Sequence, residues 1–144
     1  MIAPFRAVAH PWLCDVMGHL TTRYDMAMFD DASYHALNAV FGWSGSDAEA
    51  TGTGFVDVRH ELDYEAELRA GDLLEINARL ERLGGKSVTL VYNMMIIGRD
   101  ERAARMTAGS VCFDTQARKS RTSSSGQRAR LNRAHQSQPG CKKD

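Results

Sequence analysis

The sequence has few cysteines, no long apolar run and no net charge. Its three cysteines, Cys14, Cys112 and Cys141, are odd in number and far apart, which excludes the paired framework of a disulfide-stapled domain. No stretch approaches the roughly 20 apolar residues of a membrane helix, and the first residues lack the charged-then-apolar pattern of a signal peptide. These absences lead us to expect a cytoplasmic protein with no membrane partner.

The zero net charge hides two parts of opposite charge. Residues 1–117 contain 10 Lys and Arg against 17 Asp and Glu, whereas residues 118–144 contain 8 against 1. A basic segment can contact nucleic acid, but this one has no aromatic residue to stack on bases, and its Ser-, Gln- and Gly-rich composition is typical of disorder. We therefore expect one domain at 1–117, a basic and disordered tail at 118–144, and no nucleic-acid partner.

A helical pattern begins at residue 22. Apolar residues recur there every three or four positions, which predicts one long helix that Thr21 or Thr22 caps and Gly42 ends. Asp25 falls in the first turn, where the helix dipole favours a negative charge. The expected buried stripe consists of Met26, Phe29, Ala32, Ser33, Ala36, Leu37 and Val40.

Alternating residues predict most of the remaining chain to be strand. The clearest case is 56–68, with a charged face and an apolar face that includes His60. Further strands are expected at 5–10, 73–83, 87–98 and 103–114, and a Gly- and Ser-rich loop at 43–54. This order predicts an α+β fold in which the last four strands form a meander. One helix cannot cover both faces of such a sheet, so the sheet must wrap around it or pair with another copy.

The turn before the helix holds the polar residues best suited to chemistry. Asp15 is its only acid, although on spacing alone a turn residue that bonds its own backbone explains it best. Unpaired N–H groups at a helix start favour developing negative charge, so the amide of Thr22 is a candidate oxyanion donor, with N-capping as the simpler alternative. His10, Cys14 and His19 match no recognised metal-site spacing, and we expect no metal and no cofactor.

The motif and the order of elements resemble hotdog-fold acyl-CoA thioesterases of the 4-hydroxybenzoyl-CoA thioesterase type. Trp12 is followed by Asp15-x-x-Gly18-His19-Leu20-Thr21-Thr22, against a family pattern of Asp-x-x-Gly-His-Val-Asn-Asn before a helix. Asp63-Tyr64 with Gly71-Asp72, and Leu83-Gly84 with Ser87, also match, so the resemblance covers about residues 5–117. The chain departs from the pattern at Thr21 and Thr22, where Asn-Asn is common, and at Asp25, where Tyr is common, which leaves the choice of substrate open.

The resemblance implies a hotdog fold, in which an antiparallel sheet wraps around one long central helix. It also implies a homodimer or homotetramer built by joining sheets side by side, with the site at the subunit interface. The implied activity is hydrolysis of an acyl-CoA thioester, with Asp15 as base or nucleophile, the Thr22 amide as oxyanion donor, and His19 orienting Asp15 or bonding the acyl group. The substrate-binding candidates are Trp12, Gly18, Tyr24 and His60, for which a purely structural role is the alternative.

Two other functions stay open at this point. One is a hotdog enoyl-CoA hydratase or dehydratase, although this chain lacks the His with a Pro- and Gly-rich loop of that class. The other is a non-catalytic module that binds acyl thioesters. The basic cluster at 118–121 either contacts the phosphates of CoA or is a solvated run of charge.

Overall fold

The computed structural model describes residues 2–123 of the chain. Two helices and six strands follow one another as β1 (Ile2–Val8), α1 (Thr22–Phe41), α2 (Gly45–Thr51), β2 (Thr53–Tyr64), β3 (Leu73–Leu83), β4 (Ser87–Ile96), β5 (Glu101–Asp114) and β6 (Lys119–Ser120), with a short 3-10 turn at Pro11–Leu13. None of the helices in this part of the chain is long and apolar enough to span a membrane. The expected long helix and its end at Gly42 are confirmed.

The strands form one antiparallel sheet in the order β1-β3-β4-β5-β2, and β6 extends it beside β5. The predicted meander is right for β3, β4 and β5 but wrong for β2, which pairs with β5 and lies at the sheet edge. The segment 65–72, which connects β2 to β3, is not a hairpin turn, because these two strands are not neighbours in the sheet. It is bonded to the segment before α1 instead, since the Leu20 N–H donates to the Leu68 carbonyl at 2.8 Å. This bond places the connection beside the start of α1.

The core lies between α1 and the concave face of the sheet. Phe29 of α1 packs edge-on against Tyr92 of β4, with ring centroids 6.3 Å apart, and both side chains are fully buried. The predicted stripe was partly wrong, since Met26 and Ser33 are only half-buried. The buried face of α1 instead consists of Asp25, Met28, Phe29, Ala32, Ala36, Leu37, Val40 and Phe41. The helix is therefore rotated so that an acid, Asp25, points into the fold.

The predicted apolar face of β2 is not buried. Val56 and Val58 are 44% and 66% exposed, because β2 is an edge strand and a register shift between Asp57 and Arg59 interrupts its alternation. His60 is not a core histidine either: its Nε2 lies 3.0 Å from a carboxylate oxygen of Asp57 near the surface.

Two further segments differ from expectation or extend it. The predicted loop at 43–54 contains α2. A capping box starts this helix, in which the Ser44 N–H donates to Asp47 Oδ2 at 2.8 Å. After residue 117 the chain still contacts the sheet, since Arg121 Nη1 donates to Thr53 Oγ1 at 3.0 Å. Residues 124–144, most of the segment expected to be a disordered tail, lie outside the described residues.

Candidate active site

Asp15 holds the turn before α1 together. Its Oδ1 accepts the backbone N–H groups of Met17 at 2.8 Å and His19 at 3.1 Å. Gly18 closes the turn at φ +80, a left-handed conformation that glycine adopts without steric cost. The same side chain that the resemblance assigns to catalysis therefore also shapes the loop that carries His19.

The first backbone amides of α1 are free. Thr21 is the N-cap residue, but the expected side-chain cap is absent because Thr21 Oγ1 donates instead to the Leu13 carbonyl at 3.3 Å. Within residues 2–123, no acceptor bonds the N–H groups of Thr22 and Arg23. These N–H groups lie at the positive end of the helix dipole, so the helix start offers unused donors for a developing oxyanion.

A cavity of about 270 Å³ lies at this helix start. It is bounded by the turn, by the end of β2 and by the connection 65–72, and we call it the helix-start cavity. Its polar lining consists of His19, Thr22, Asp25, Tyr64, Glu65 and Glu67. The structure thus gathers two of the predicted catalytic residues, His19 and Thr22, around one space, together with an aromatic hydroxyl and three acids.

Two of the three acids lie against a nitrogen atom of a neighbouring side chain. Both oxygens of Glu65 accept the Nε–H of Arg102 at 2.9 Å, and Glu67 lies 3.2 Å from Nε2 of His19. The ring of His19 therefore lies beside the Glu67 carboxylate, whereas its backbone N–H donates to Asp15. Asp25 is different, because within the described part of the chain no hydrogen bond or ion pair reaches its carboxyl.

The carboxyl of Asp25 is buried, with only 4% of the residue exposed. Burial raises the pKa of Asp25 from 3.8 to about 7, because a charged carboxylate loses its hydration there. The helix dipole opposes this by about 0.3–1 kcal/mol, far less than the roughly 4 kcal/mol that such a change in pKa represents. Burial, followed by the negative charge of Asp25, also raises the pKa of Tyr64, so the two groups interact across the cavity.

The sequence identified Asp25 as a first-turn acid and as a departure from the family pattern, but its burial was not predicted. A usable signal was present, because Asp25 stands four residues before Phe29 and seven before Ala32, on the buried stripe. Tyr64 was noted as part of a family match, but its place at the cavity depends on the path of β2 and could not be read from the pattern.

The remaining binding candidates lie elsewhere. Trp12 is 74% exposed and stacks on the ring of His10 at 4.3 Å. Tyr24 lines a separate groove between α1 and β1, and His60 bonds Asp57 on β2. None of these three lines the helix-start cavity, and Gly18 contributes to it only by shaping the turn.

A larger groove of about 950 Å³ lies at the other end of the sheet. It is lined by Arg6 and Arg99 among apolar residues, but Arg6 is paired with Glu75 and Arg99 with Asp72. Because none of the turn residues and none of the free N–H groups of α1 lies in it, we assign the chemistry to the smaller cavity.

Solved structures of low sequence identity share this fold. The Staphylococcus aureus protein SAV2348, solved in complex with CoA, superposes with a TM-score of 0.88 at 15% identity, covering 100% of this chain and 92% of that one. Slr0204 from Synechocystis, a 1,4-dihydroxy-2-naphthoyl-CoA thioesterase, gives 0.77 at 16% identity, covering 90% and 94%. YbaW from Escherichia coli, a probable thioesterase, gives 0.76 at 20% identity, covering 91% and 97%.

A comparison with curated protein sequences finds no significant match. The sequence profile of the thioesterase-like superfamily, however, matches residues 9–132, which include the turn, α1 and strands β2 to β6. The sheet wrapped around one long helix is the hotdog architecture that the resemblance implied. From this match and this architecture, the chain belongs to the thioesterase-like superfamily.

Proposed function

We propose that this protein hydrolyses acyl-CoA thioesters to the free acid and CoA, in the helix-start cavity. The observation that carries the proposal is the pair of free N–H groups of Thr22 and Arg23 at a helix start beside the helix-start cavity. Thioester cleavage places negative charge on the carbonyl oxygen, and removing one preorganised donor for such a charge costs roughly 10²–10³ in rate. The Thr22 N–H is the donor we assign to this role.

Asp15 is the acid that the resemblance assigns as base or nucleophile, and we keep this assignment as a proposal. A carboxylate can attack the thioester to form an anhydride or can deprotonate a water. Only the Oδ1 atom of Asp15 is used in the turn, so within residues 2–123 its Oδ2 has no bonded partner.

The experiment is thiol release from a panel of short, branched, aromatic and long-chain acyl-CoAs, followed with a thiol-reactive dye. If Asp15 is the base or nucleophile, Asp15→Asn lowers kcat by at least about 100-fold. Asp114→Asn is the matched control, because Asp114 Oδ1 also accepts two backbone N–H groups, from Gln116 and Ala117, in a turn outside the cavity.

The results separate the open alternatives. Full turnover by Asp15→Asn would remove Asp15 from the mechanism while leaving the reaction in place. A melting temperature that rises with acyl-CoA, without any thiol, would favour a binding module. Loss of the absorbance of crotonyl-CoA without thiol release would favour a hydratase.

We also propose that the protein is a homo-oligomer joined through β2. This edge strand has no strand on its outer side within the described residues, and its Val56 and Val58 side chains are exposed. An unpaired strand edge with apolar side chains is a template for a second strand. Tyr64 ends the same strand and lines the cavity, so a second copy on β2 would lie next to the site.

Sedimentation velocity tests this assembly. Val58→Lys should shift the protein towards a smaller species and lower thiol release, because a charged side chain on the strand opposes pairing. Ile97→Lys is the matched control, since Ile97 is 45% exposed but follows β4 rather than lying on β2. Unchanged sedimentation of Val58→Lys would place the interface elsewhere.

A further inference from the structure

Asp25 lies inside the cavity of the proposed reaction, and the assignment above does not use it. The residue is 4% exposed, and within residues 2–123 its carboxyl has neither a hydrogen bond nor an ion pair. Leaving a buried polar group unpaired costs about 1–3 kcal/mol, and more when the group is charged, so such groups are rare in native structures. The cavity beside Asp25 gives room for a water or a substrate to become its partner.

We propose that Asp25 is a catalytic residue that carries the proton in thioester hydrolysis. This inference rests on the proposed function for the reaction itself, and it assigns the activation of the water to Asp25 in place of Asp15, which does not line the cavity.

The step balances without any further reactant. The oxygen of a water bonds to the carbonyl carbon, while the Asp25 carboxylate takes one proton from that water. The electron pair of the C=O bond moves onto oxygen, where the Thr22 N–H holds it. When this pair returns, the C–S bond breaks, the CoA sulfur leaves with the bonding electrons, and Asp25 returns its proton to the sulfur. The products are the acid and the thiol, and Asp25 is a carboxylate again.

The surroundings of Asp25 suit this exchange. The charged and titratable groups that share its cavity are His19, Tyr64, Glu65 and Glu67. Glu65 is paired with Arg102, and Glu67 lies 3.2 Å from Nε2 of His19. Burial is therefore the dominant influence on the pKa of Asp25, which lies at about 7. A base is most effective when its pKa lies near the working pH, because it must both accept and return the proton.

Asp15 and Asp25 differ in their position relative to the cavity. Asp15 sits in the turn with Oδ1 bonded to two backbone amides, and it does not line the cavity. Asp25 follows one helical turn after the free amides and does line the cavity. A water between the Asp25 carboxyl and the acyl carbon would therefore lie on the same side of the helix start as the Thr22 N–H, the proposed oxyanion donor.

The decisive variant is Asp25→Asn, which keeps the size of the side chain but cannot accept the proton. We expect kcat to fall by roughly 10²–10⁴-fold, the usual contribution of a positioned general base. Asp31→Asn is the matched control, because it makes the same chemical change at an exposed position of α1. It should keep wild-type turnover.

The pH profile supplies a second readout. Because the carboxylate form is the active one, wild-type kcat should fall as the pH drops below about 7, the pKa of Asp25. In Asp25→Asn this acidic limb should be absent from whatever turnover remains. A residue that only supports the fold would lower the rate without removing the limb.

The outcomes are distinct. A fall of less than about 10-fold in Asp25→Asn, or a wild-type kcat that stays level between about pH 5 and pH 8, overturns the role of Asp25 while the thioesterase proposal stands. A wild type that releases no thiol from any acyl-CoA overturns both. If Asp25→Asn does not fold, the wild-type profile alone decides.

Discussion

The burial of Asp25 predicts an unusual dependence of stability on pH. Folding raises the pKa of this carboxyl from its ordinary 3.8 to about 7, so the folded protein binds the proton more tightly than the unfolded chain does. A group of this kind contributes its full stabilisation below the unfolded pKa, and that contribution is lost as the pH rises towards the folded pKa. Asp25 should therefore destabilise the fold progressively between about pH 4 and pH 7.

The size of the effect follows from the two pKa values. At about 1.4 kcal/mol for each pH unit, the change from 3.8 to about 7 corresponds to roughly 4 kcal/mol. The positive end of the α1 dipole stabilises the carboxylate by about 0.3–1 kcal/mol. We therefore expect Asp25 to cost about 3 kcal/mol of unfolding free energy at pH 8, relative to the same chain with a neutral side chain at this position.

Asp25→Asn removes the titrating group and should abolish this loss. Urea unfolding followed by circular dichroism, at about pH 5, 6, 7 and 8 and at one protein concentration, measures the free energy of each variant. The variant should exceed the wild type by about 1.5 kcal/mol at pH 5, where part of the loss has already occurred, and by about 3 kcal/mol at pH 8. Asp31→Asn, exposed on the same helix, should follow the wild type throughout.

Parallel curves for the wild type and Asp25→Asn would refute the reasoning. They would mean that Asp25 is already charged in the folded protein at pH 5, and hence that it is hydrated or paired rather than buried without a partner. The expected result would also show that Asp25 lowers the unfolding free energy at neutral pH although packing does not require a carboxyl there. Residues that serve activity often lower stability in this way.

Two further variants test the turn and the core. Gly18→Ala should lower the unfolding free energy by about 1–2 kcal/mol, because alanine is strained at φ +80 even though no atom lies within 4 Å of the added carbon. Gly45→Ala, equally open but without a positive φ, should instead raise it by about 0.4–1 kcal/mol. Phe29→Ala should cost about 3–5 kcal/mol in urea unfolding, because Phe29 is 0% exposed, whereas Tyr34→Ala, at 54% exposed on the same helix, should cost under about 1 kcal/mol. An equal effect from the two members of either pair would contradict the packing described above.

The parts of the fold that depend on local sequence were predictable. The three- and four-residue spacing of apolar side chains, with Gly42 in a left-handed conformation at the end, defines α1 at Thr22–Phe41. Alternation and turn residues likewise located β3, β4 and β5 within a few residues of their ends. The Asp-x-x-Gly-His turn pointed to the helix start as the place of the chemistry, and this chain belongs to the superfamily that the turn suggested.

The parts that depend on contacts distant in sequence were not predictable. β2 has the clearest alternation in the chain, yet its apolar face is exposed, because its partner β5 lies some 50 residues away and leaves it at an edge. The same path brings Tyr64 to the helix-start cavity and takes His60 away from it. Alternation fixes which residues share a face of a strand, but not whether that face is covered.

Asp25 shows the boundary between the two kinds of information. The sequence by itself placed an acid in the first turn of a long helix, and its spacing to Phe29 was visible in the pattern. Only the tertiary structure decided that this turn faces the connection 65–72 rather than water, because the Leu20 to Leu68 bond holds the two segments together. Local propensity sets which elements form, whereas the removal of Asp25 from water, and with it the pKa of its carboxyl, depends on what the assembled sheet places opposite it.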